Sequence, residues 1–536
     1  MILKNIFSNQ SKTITGAAII IASATFISRL VGLLRDRIFA HYYGAGEIMD
    51  AYYAGFKIPD LIYSLLILGA LSAGFIPTFT KIFNNNKKEG WKLANNVINI
   101  IGITMIIICG LGIIFTPQIA PLIAPGFSSD SLQKVIDFSR IMFLSPIFLG
   151  LSMVMGGILQ SLRQFLIYSL APIFYNLGII LGTVVLVRYI GINGIAWGVV
   201  LGALMHLILQ SIGAYFSGWR PQWYFNLKDK NTKLIGKLMI PRTMGLAISQ
   251  LNVIALTVLA SLLTTGSVAI YNYANNLQGV AVGIIGIPFA LAAFPALSQS
   301  AAKNDLPEFI KNLISTTRKI LFLIIPASVL ILLLRAQIVR VVLGSGQFDW
   351  TATITTANAL AFFALSLFAQ ALIPLFARAF YSLENTKTPF VTALISEIIT
   401  IIFALLLMKP LGVSGLALAV SIGATLNMML LFGTLRKKLG SFHMNEQLFD
   451  VYKIIMAGCA MAITIQIAKY PLAEIFNQDY FIGILSQGFF AGILGIVVYL
   501  FLCYSLRLPE LSEFSQTLRK KWLKIDNLPE EAEEEK

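Results

Sequence analysis

Charged residues follow the first apolar segment of the chain, in the stretch SRLVGLLRDRIFAHYYGAG. Arg29 and Asp36 are seven residues apart, which places them within ~20° of each other around a helix. Asp50 and Lys57, at the start of the second apolar segment, have the same spacing. Ionisable side chains are costly in hydrocarbon and usually face a cavity. Because a guanidinium fork matches phosphate and carboxylate oxygens, these four residues and Arg35 predict a cavity that binds an anionic group.

Two simpler structural roles stay open for this stretch. Arg35 and Arg37 could snorkel to the outer membrane interface, with their aliphatic stems in the apolar layer. Arg29 could form an ion pair with Asp36 that serves the fold alone.

Three more charges lie in later apolar segments. Arg242 opens the seventh segment, and Arg378 and Glu397 lie in the tenth and eleventh. The stretch LISEIIT surrounds Glu397 with apolar residues, so its carboxylate needs a partner or a proton, and Arg378 is a candidate partner. We predict that Arg242 and Arg378 are further cavity residues and that Glu397 is a candidate ion-coupling residue.

Signatures of catalysis and of cofactor binding are missing. His41, His206 and His443 are scattered, and the chain has neither a zinc-protease motif nor a P-loop. Its three cysteines lie far apart in or beside apolar runs, where small buried hydrophobes are common. We therefore expect a transporter with no cofactor, no metal and no ATPase of its own, driven by an ion, potential or substrate gradient.

Composition and periodicity predict an all-α polytopic membrane protein. The chain has 536 residues, of which 57% are hydrophobic and only 12% charged, whereas soluble domains carry about 25% charged residues. Apolar runs recur at the length that a bilayer-spanning helix requires. Residues 335–345 are short and broken by Arg335 and Arg340, so we assign them to a loop. The fourteen predicted segments lie near 15–34, 51–80, 93–115, 138–160, 165–187, 193–216, 238–262, 271–298, 320–334, 355–381, 390–408, 412–433, 452–468 and 481–505.

Lysine and arginine sort to one side of this predicted topology. The tails and the loops on their side carry 27 of the 40 basic residues, and the opposite loops carry 8. This bias predicts that both termini are cytoplasmic. It also explains the net charge of +15 without a nucleic-acid partner. The acidic end PEEAEEEK is expected to be a solvated tail.

An internal repeat predicts the domain organisation. The stretch GINGIAWGVVLGA at 191–203 aligns with GVSGLALAVSIGA at 412–424, at a constant offset of 221 residues. A weaker similarity links GEIMDAYYA at 46–54 with GSVAIYNYA at 266–274. Two six-helix lobes related as parallel repeats around a central cavity would follow. The predicted parts are lobes at 1–217 and 218–437, two further helices within 438–506, and a cytoplasmic tail at 507–536.

The opening block resembles a known family. SRLVGLLRDRIFAHYYGAGEIMDAYYAGFKIPDL followed by GALSAGFIPTF is similar to the start of the MurJ (MviN) lipid II flippases, within the superfamily of flippases and multidrug exporters. Weaker similarities are IAPGF, FPALSQS, FYSLENTKTP and GVSGLALAVSIGATLNMML. The resemblance covers the first twelve segments.

The resemblance implies a function and a set of site residues. Its family moves an undecaprenyl-pyrophosphate-linked peptidoglycan precursor, lipid II, to the outer leaflet of the bacterial plasma membrane by alternating access. It implies two extra helices that form a groove for the lipid tail. Membrane lipids and the cell-wall synthesis machinery would be the other partners. The cavity arginines of the family match Arg29 and Arg35, and its acidic residues match Asp36 and Asp50.

Several charged positions of the family pattern are replaced in this chain. A pair of arginines is replaced by Tyr63 and Ser64, an acidic residue by Leu68, and an Asp-Arg pair by Asn275 and Asn276. We hypothesise that Arg242 and Arg378 compensate. The replacements leave a flippase for another undecaprenyl-linked oligosaccharide as an alternative. A cation-coupled multidrug exporter using Glu397, and a membrane glycosyltransferase or ligase, are weaker alternatives.

Overall fold

The computed structural model describes residues 14–65, 74–440 and 444–514. The regular structure of these residues is helical, which confirms the predicted all-α class. Short π-helical turns at Gly182–Leu186 and Val282–Gly286 and a 3₁₀ turn at Gly191–Asn193 connect some of the helices. The α-helices are α1 Ile14–Tyr43, α2 Glu47–Tyr63, α3 Ile76–Asn85, α4 Lys87–Ile123, α5 Ser129–Met142, α6 Leu144–Ser161, α7 Phe165–Leu181, α8 Val187–Ile190, α9 Gly194–Phe216, α10 Lys230–Ser261, α11 Ser267–Ala281, α12 Ile287–Ala302, α13 Leu306–Leu333, α14 Arg335–Val342, α15 Trp350–Ala364, α16 Leu367–Ser382, α17 Lys387–Leu411, α18 Val413–Leu439, α19 Met444–Ile475 and α20 Phe481–Ser505.

Membrane-spanning helices dominate the described chain. Nine of its helical ranges are long and apolar enough to cross a membrane, and ten if the bent pair α15–α16 is one span. One range, Phe165–Phe216, has 52 residues and contains two of the predicted segments. The class of polytopic membrane protein is therefore confirmed, whereas the count of fourteen spans is not.

Two further differences from the predicted segments concern α10 and the residues around 335–345. Within the described residues, α10 contributes a shorter apolar helix at Ala247–Ser261. The end of the second segment, including Leu68, lies outside the described residues. The prediction of a loop at 335–345 is wrong for most of its length, because Arg335–Val342 forms the short helix α14.

Compact packing divides the chain into two units. Unit 1 comprises residues 1–280, 339–363 and 390–427, and unit 2 comprises residues 281–338, 364–389 and 428–536. These units follow packing density and alternate along the chain, so they do not test the predicted lobe boundaries at 217 and 437. Those boundaries remain a prediction.

Glycines allow two helices of unit 1 to approach closely. A Cβ atom on Gly178 would overlap the backbone of Gly202, and one on Gly182 would overlap Gly198. The paired positions run in opposite directions along α7 and α9, so these helices form an antiparallel hairpin. Small residues at such crossings let transmembrane helices pack backbone to backbone.

Asparagines of α4 fix the segment that follows α9, also within unit 1. Asn95 accepts hydrogen bonds from the Trp219 indole at 3.0 Å and from the Gln222 amide at 3.3 Å. Asn96 exchanges hydrogen bonds with the backbone of Asn226, donating at 3.0 Å and accepting at 2.7 Å. These side chains pair with backbone groups of the segment 219–226, which has no regular secondary structure.

Unit 2 combines an apolar core with a network of ion pairs. Phe309, Leu375 and Phe376 are buried in one of its hydrophobic clusters. Arg318 of α13 pairs with Asp450 at 2.8 Å and with Glu510 at 2.5 Å. This network joins α13, α19 and the residues after α20, and its acidic members balance the buried guanidinium charge.

The internal repeat has the same local geometry in both copies. Gly191 and Gly412, which are aligned in the sequence, have φ values of 65° and 57°. L-residues rarely adopt this left-handed conformation, so glycine is required at both turns. A Cβ atom on Gly202 would overlap the Tyr175 carbonyl oxygen. The aligned Gly423 faces the carbonyl of Ser396, which is again 221 residues from Tyr175.

The close packing of α7 and α9 gives the first prediction. Gly202→Ala is expected to lower the free energy of unfolding by about 1–3 kcal/mol, because an added methyl group forces the two backbones apart. Gly110 is the matched control, because a Cβ atom there meets nothing within 4 Å. Thermal unfolding of both purified variants in detergent measures the difference. Equal melting temperatures for Gly202→Ala and the wild type would contradict this account of the hairpin.

Candidate functional site

A polar cavity of about 450 Å³ lies within unit 1. Tyrosines, asparagines and ionisable groups form much of its wall together with apolar side chains, and six helices contribute to the lining: α1, α2, α6, α7, α9 and α11. Arg35 comes from α1, and Lys57 and Asp60 come from α2. His206 comes from α9, and three asparagines come from α11. The full lining is Arg35, Tyr52, Tyr53, Phe56, Lys57, Pro59, Asp60, Tyr63, Ser145, Pro146, Leu149, Pro172, Tyr175, Ile179, His206, Asn272, Asn275 and Asn276.

Arg35 is the centre of a hydrogen-bond network at this cavity. Its Nε and Nη2 donate to Asp36 Oδ1 at 3.0 and 2.8 Å, and its Nη1 donates to Asn176 Oδ1 at 3.0 Å. Asp36 Oδ2 accepts a bond from Asn276 at 2.9 Å. The Asp36 side chain is 3% exposed, so its charge depends on these partners. Asp36 therefore forms its ion pair with Arg35 and not with Arg29, the partner that the sequence analysis considered.

The guanidinium of Arg35 keeps donors for a ligand. A guanidinium has five N–H groups, and the bonds to Asp36 and Asn176 use three of them. The Arg35 side chain is 20% exposed and lines the cavity. Within the described chain, two N–H groups of Arg35 thus remain for oxygens of a bound anion.

Lys57 is a second basic residue in the lining of the same cavity. Its Nζ donates to Asn272 Oδ1 at 3.1 Å. Asp60, three residues further along α2, also lines the cavity, although the sequence analysis did not select it. The i, i+3 spacing of Lys57 and Asp60 was the signal that could have found it, because such pairs share a helix face.

Asp50 binds backbone amides instead of lining this cavity. Its Oδ2 accepts from the Gly266 N–H at 2.6 Å, and its Oδ1 accepts from the Ala269 N–H at 2.8 Å. Both amides lie at the start of α11, where helix N–H groups lack intrahelical partners. Asp50 therefore caps α11, and its predicted contact with the cargo remains a prediction.

The other arginines of α1 differ in position. Arg29 is exposed and precedes Arg35 by about 9 Å along the helix axis, outside the lining of this cavity. Arg37 donates to the carbonyl oxygens of Val341 and Val342 at the end of α14. A cation there is favourable because the C-terminus of a helix carries partial negative charge. Arg37 thus stabilises the segment that the sequence analysis assigned to a loop.

The remaining predicted residues lie elsewhere. Arg242 is in α10, but its side chain lies outside the described residues. Arg378 belongs to unit 2 and donates to the Pro374 carbonyl at 3.0 Å. Glu397, in unit 1, accepts a hydrogen bond from Asn252. Asn252 was not selected from the sequence, because a lone amide in an apolar helix carries little signal.

Replaced family positions are nevertheless part of the polar cavity. Tyr63, Asn275 and Asn276 all line it. Ser64 accepts a hydrogen bond from Gln250. Neutral amides and a phenol therefore occupy positions that are charged in the family pattern. They can still hydrogen-bond polar groups, but the cavity carries fewer charges than that pattern has.

The composition of the site is suited to binding a polar ligand. Among the described residues, no group of three or more His, Cys, Asp or Glu side chains could hold a metal ion. The cavity combines cationic donors, amides and aromatic faces. The chemistry of such a lining suits an anionic group that also offers hydrogen-bonding partners.

Many apolar spans around an internal polar cavity define a polytopic membrane transporter. Residues 39–490 match the family described as lipid II flippase MurJ, and the chain belongs to that family. A probable lipid II flippase MurJ from Rickettsia prowazekii (strain Madrid E) is 29% identical over 92% of this chain and 98% of its own length. A lipid II flippase MurJ from Burkholderia cenocepacia is 27% identical over 79% of this chain and 84% of its own length.

Solved structures agree in fold. The structure described as lipid II flippase MurJ in an inward closed conformation has a TM-score of 0.75 and 24% identity, over 93% of this chain and 99% of its own. A multidrug resistance MATE family transporter in an inward-facing conformation has a TM-score of 0.67 and 17% identity, over 80% of this chain and 99% of its own. At these identities the two likenesses concern the fold alone.

Proposed function

We propose that this chain moves lipid II from the inner to the outer leaflet of a bacterial plasma membrane. Its family membership supports the cargo, and the network of Arg35 carries the proposal at the level of residues. Arg35 offers two N–H groups and Lys57 an ammonium group to a cavity whose other polar groups are mostly neutral. A pyrophosphate bears charges that match these donors.

The lipid tail does not need to enter the polar cavity. Unit 2 has an apolar cavity of about 700 Å³, lined by side chains of α13, α16, α18 and α19. We propose that a section of an isoprenoid chain binds in this apolar cavity. The sequence analysis predicts a lipid-tail groove at the last two helices. Of these two helices, α19 lines the apolar cavity, and α13, α16 and α18 form the other walls of that cavity.

Alternating access requires helices that can bend. The stretch GIIGIPFALAAFP contains glycines and prolines, which allow a helix to bend, and a π-helical turn at Val282–Gly286 connects α11 to α12 there. The turn precedes Pro288, which lacks an amide donor for a regular helix. π-helical turns often mark functional bends, and we propose this one as a hinge.

Charge supports a proposed orientation, and it suggests a candidate residue for ion coupling. The bias of 27 basic residues to 8 supports cytoplasmic termini and a multi-pass position in the inner membrane. Glu397 with Asn252 is the candidate coupling site for a cation. We propose that an ion or potential gradient drives the cycle and that the cell-wall synthesis machinery receives the flipped precursor.

Compensation for the lost charges gives a second prediction. We expect Arg242→Ala and Arg378→Ala each to lower flipping several-fold at normal protein levels, because each removes a cation from an apolar helix. Lys303→Ala, in an exposed turn, is the control. Normal flipping by both arginine variants in reconstituted vesicles would end the compensation hypothesis.

Depletion of the protein in its own host tests the proposed function. We expect total lipid II to rise while the fraction that an external label can reach falls. Unchanged external labelling would favour the second candidate, a flippase for another undecaprenyl-linked oligosaccharide. That candidate is favoured by one observation, the neutral Asn275 and Asn276 at positions where the family pattern is charged.

A further inference from the structure

His206 is a buried group of the cavity that anion binding does not use. It lies on α9, is 7% exposed and forms part of the cavity wall in unit 1. The lining of the cavity also includes the apolar residues Pro146 and Leu149. An imidazole in such a wall offers the cavity a nitrogen whose role depends on the ring tautomer.

Ser152 determines that tautomer. Its Oγ lies 2.7 Å from His206 Nδ1 and 3.1 Å from the His206 carbonyl oxygen. A hydroxyl has one proton, and a carbonyl oxygen can only accept. Both contacts are satisfied together when Ser152 donates to the carbonyl and Nδ1–H donates to Ser152. The neutral ring then has an unprotonated Nε2, which is a hydrogen-bond acceptor.

The bond to Ser152 also orients the ring. Ser152 is fully buried in α6, so Nδ1 points into the packing between α6 and α9. In the described chain the side-chain hydrogen bond of His206 is made through Nδ1, and His206 lines the cavity, so Nε2 is the ring nitrogen available to a ligand there. The cavity thus has a neutral acceptor in addition to the cationic donors Arg35 and Lys57.

We propose that His206 Nε2 accepts a hydrogen bond from a hydroxyl or amide N–H group of the cargo's polar head. This acceptor subsite rests on the proposed function, because it assumes a head group that carries such donors beyond its phosphates. Arg35 and Lys57 recognise the charge, and His206 recognises the part of the head that distinguishes lipid II from a bare lipid pyrophosphate.

Two substitutions separate the two nitrogens of the ring. The amide of asparagine reaches the position of Nδ1, so His206→Asn keeps a donor for Ser152 but withdraws the acceptor from the cavity. Glutamine reaches the position of Nε2, so His206→Gln keeps an acceptor there. Gln210→Leu is the matched control, because Gln210 lies one turn along the same helix, is 1% exposed and is not part of the cavity wall.

The test measures binding of two lipids to the full-length protein in nanodiscs. We expect His206→Asn to weaken lipid II binding about three- to tenfold, the effect of one hydrogen bond. The affinity of His206→Asn for undecaprenyl pyrophosphate, which lacks the sugars and peptide of lipid II, should equal that of the wild type. His206→Gln and Gln210→Leu should bind both lipids as the wild type does.

Other outcomes overturn the subsite and are separable from failure of the proposed function. Wild-type affinity of His206→Asn for lipid II would exclude the contact. If His206→Asn and His206→Gln lose affinity equally for both lipids, and both variants have lower melting temperatures, His206 serves folding alone. A wild-type protein that binds lipid II no better than a phospholipid would instead reject the proposed function.

Discussion

Arg35→Ala is expected to reduce lipid II flipping about ten- to a hundredfold. The substitution removes the donors proposed for the pyrophosphate, and hydrogen bonds to charged groups contribute roughly 1.5–3 kcal/mol each. It also leaves Asp36, which is 3% exposed, without its guanidinium partner. Flipping in reconstituted vesicles and lipid II affinity in nanodiscs measure the effect on function, and thermal unfolding measures the effect on stability.

A double variant separates the two consequences of losing Arg35. Asp36→Asn removes the buried charge, so Arg35→Ala combined with Asp36→Asn should recover much of the stability while flipping stays low. Arg188→Ala is the control for arginine loss at an exposed position. Recovery of flipping by the double variant would mean that Arg35 only neutralises Asp36 and that the anion binds elsewhere.

Asp50→Ala is expected to destabilise the protein by about 1–3 kcal/mol. Loss of a helix cap costs roughly 0.5–2 kcal/mol, and buried amides left without an acceptor add to that cost. Asp50 is 2% exposed, and it is the carboxylate that binds the Gly266 and Ala269 amides. Asp50→Asn, which retains one acceptor oxygen, should lose less stability. Thermal unfolding of the two purified variants provides the measurement.

A second capping aspartate serves as the comparison for Asp50. Asp349 accepts a hydrogen bond from the Ala352 amide at 2.7 Å, but it is exposed, so water replaces the lost acceptor in Asp349→Ala. That variant should lose clearly less stability than Asp50→Ala. If Asp50→Ala melts as the wild type does but binds lipid II weakly, Asp50 is a cargo ligand and the capping account is wrong.

Sequence periodicity and composition were sufficient for the fold class because a bilayer imposes simple rules. Backbone groups in hydrocarbon must pair internally, so long apolar runs become helices. The repeat was equally visible, because Gly191 and Gly412 occupy turns that only glycine adopts easily. The exact ends of spans were less accessible, as the short helix α14 shows, because packing of arginine side chains decides whether a short segment is helical.

The partners of each charge could not be read from the sequence. Arg29 and Asp36 share a helix face, yet Asp36 pairs with Arg35 and with Asn276, which is 240 residues away. Asp50 was selected for its charge, and its role in capping α11 depends on the distant amide of Gly266. Hydrogen bonds act over about 3 Å, so only the folded chain determines which groups come within that distance.

A helical membrane transporter could be recognised from the residues alone, because solvation and charge costs act on local segments, and its family could be recognised in the same way. The anion-binding cavity remains a prediction from those residues. That Lys57, Asp60, His206 and Asn276 line one cavity, and that Asp50 does not, became visible in the folded chain. Those contacts join helices that are distant in the chain, and their geometry depends on how glycines such as Gly202 let the backbones approach.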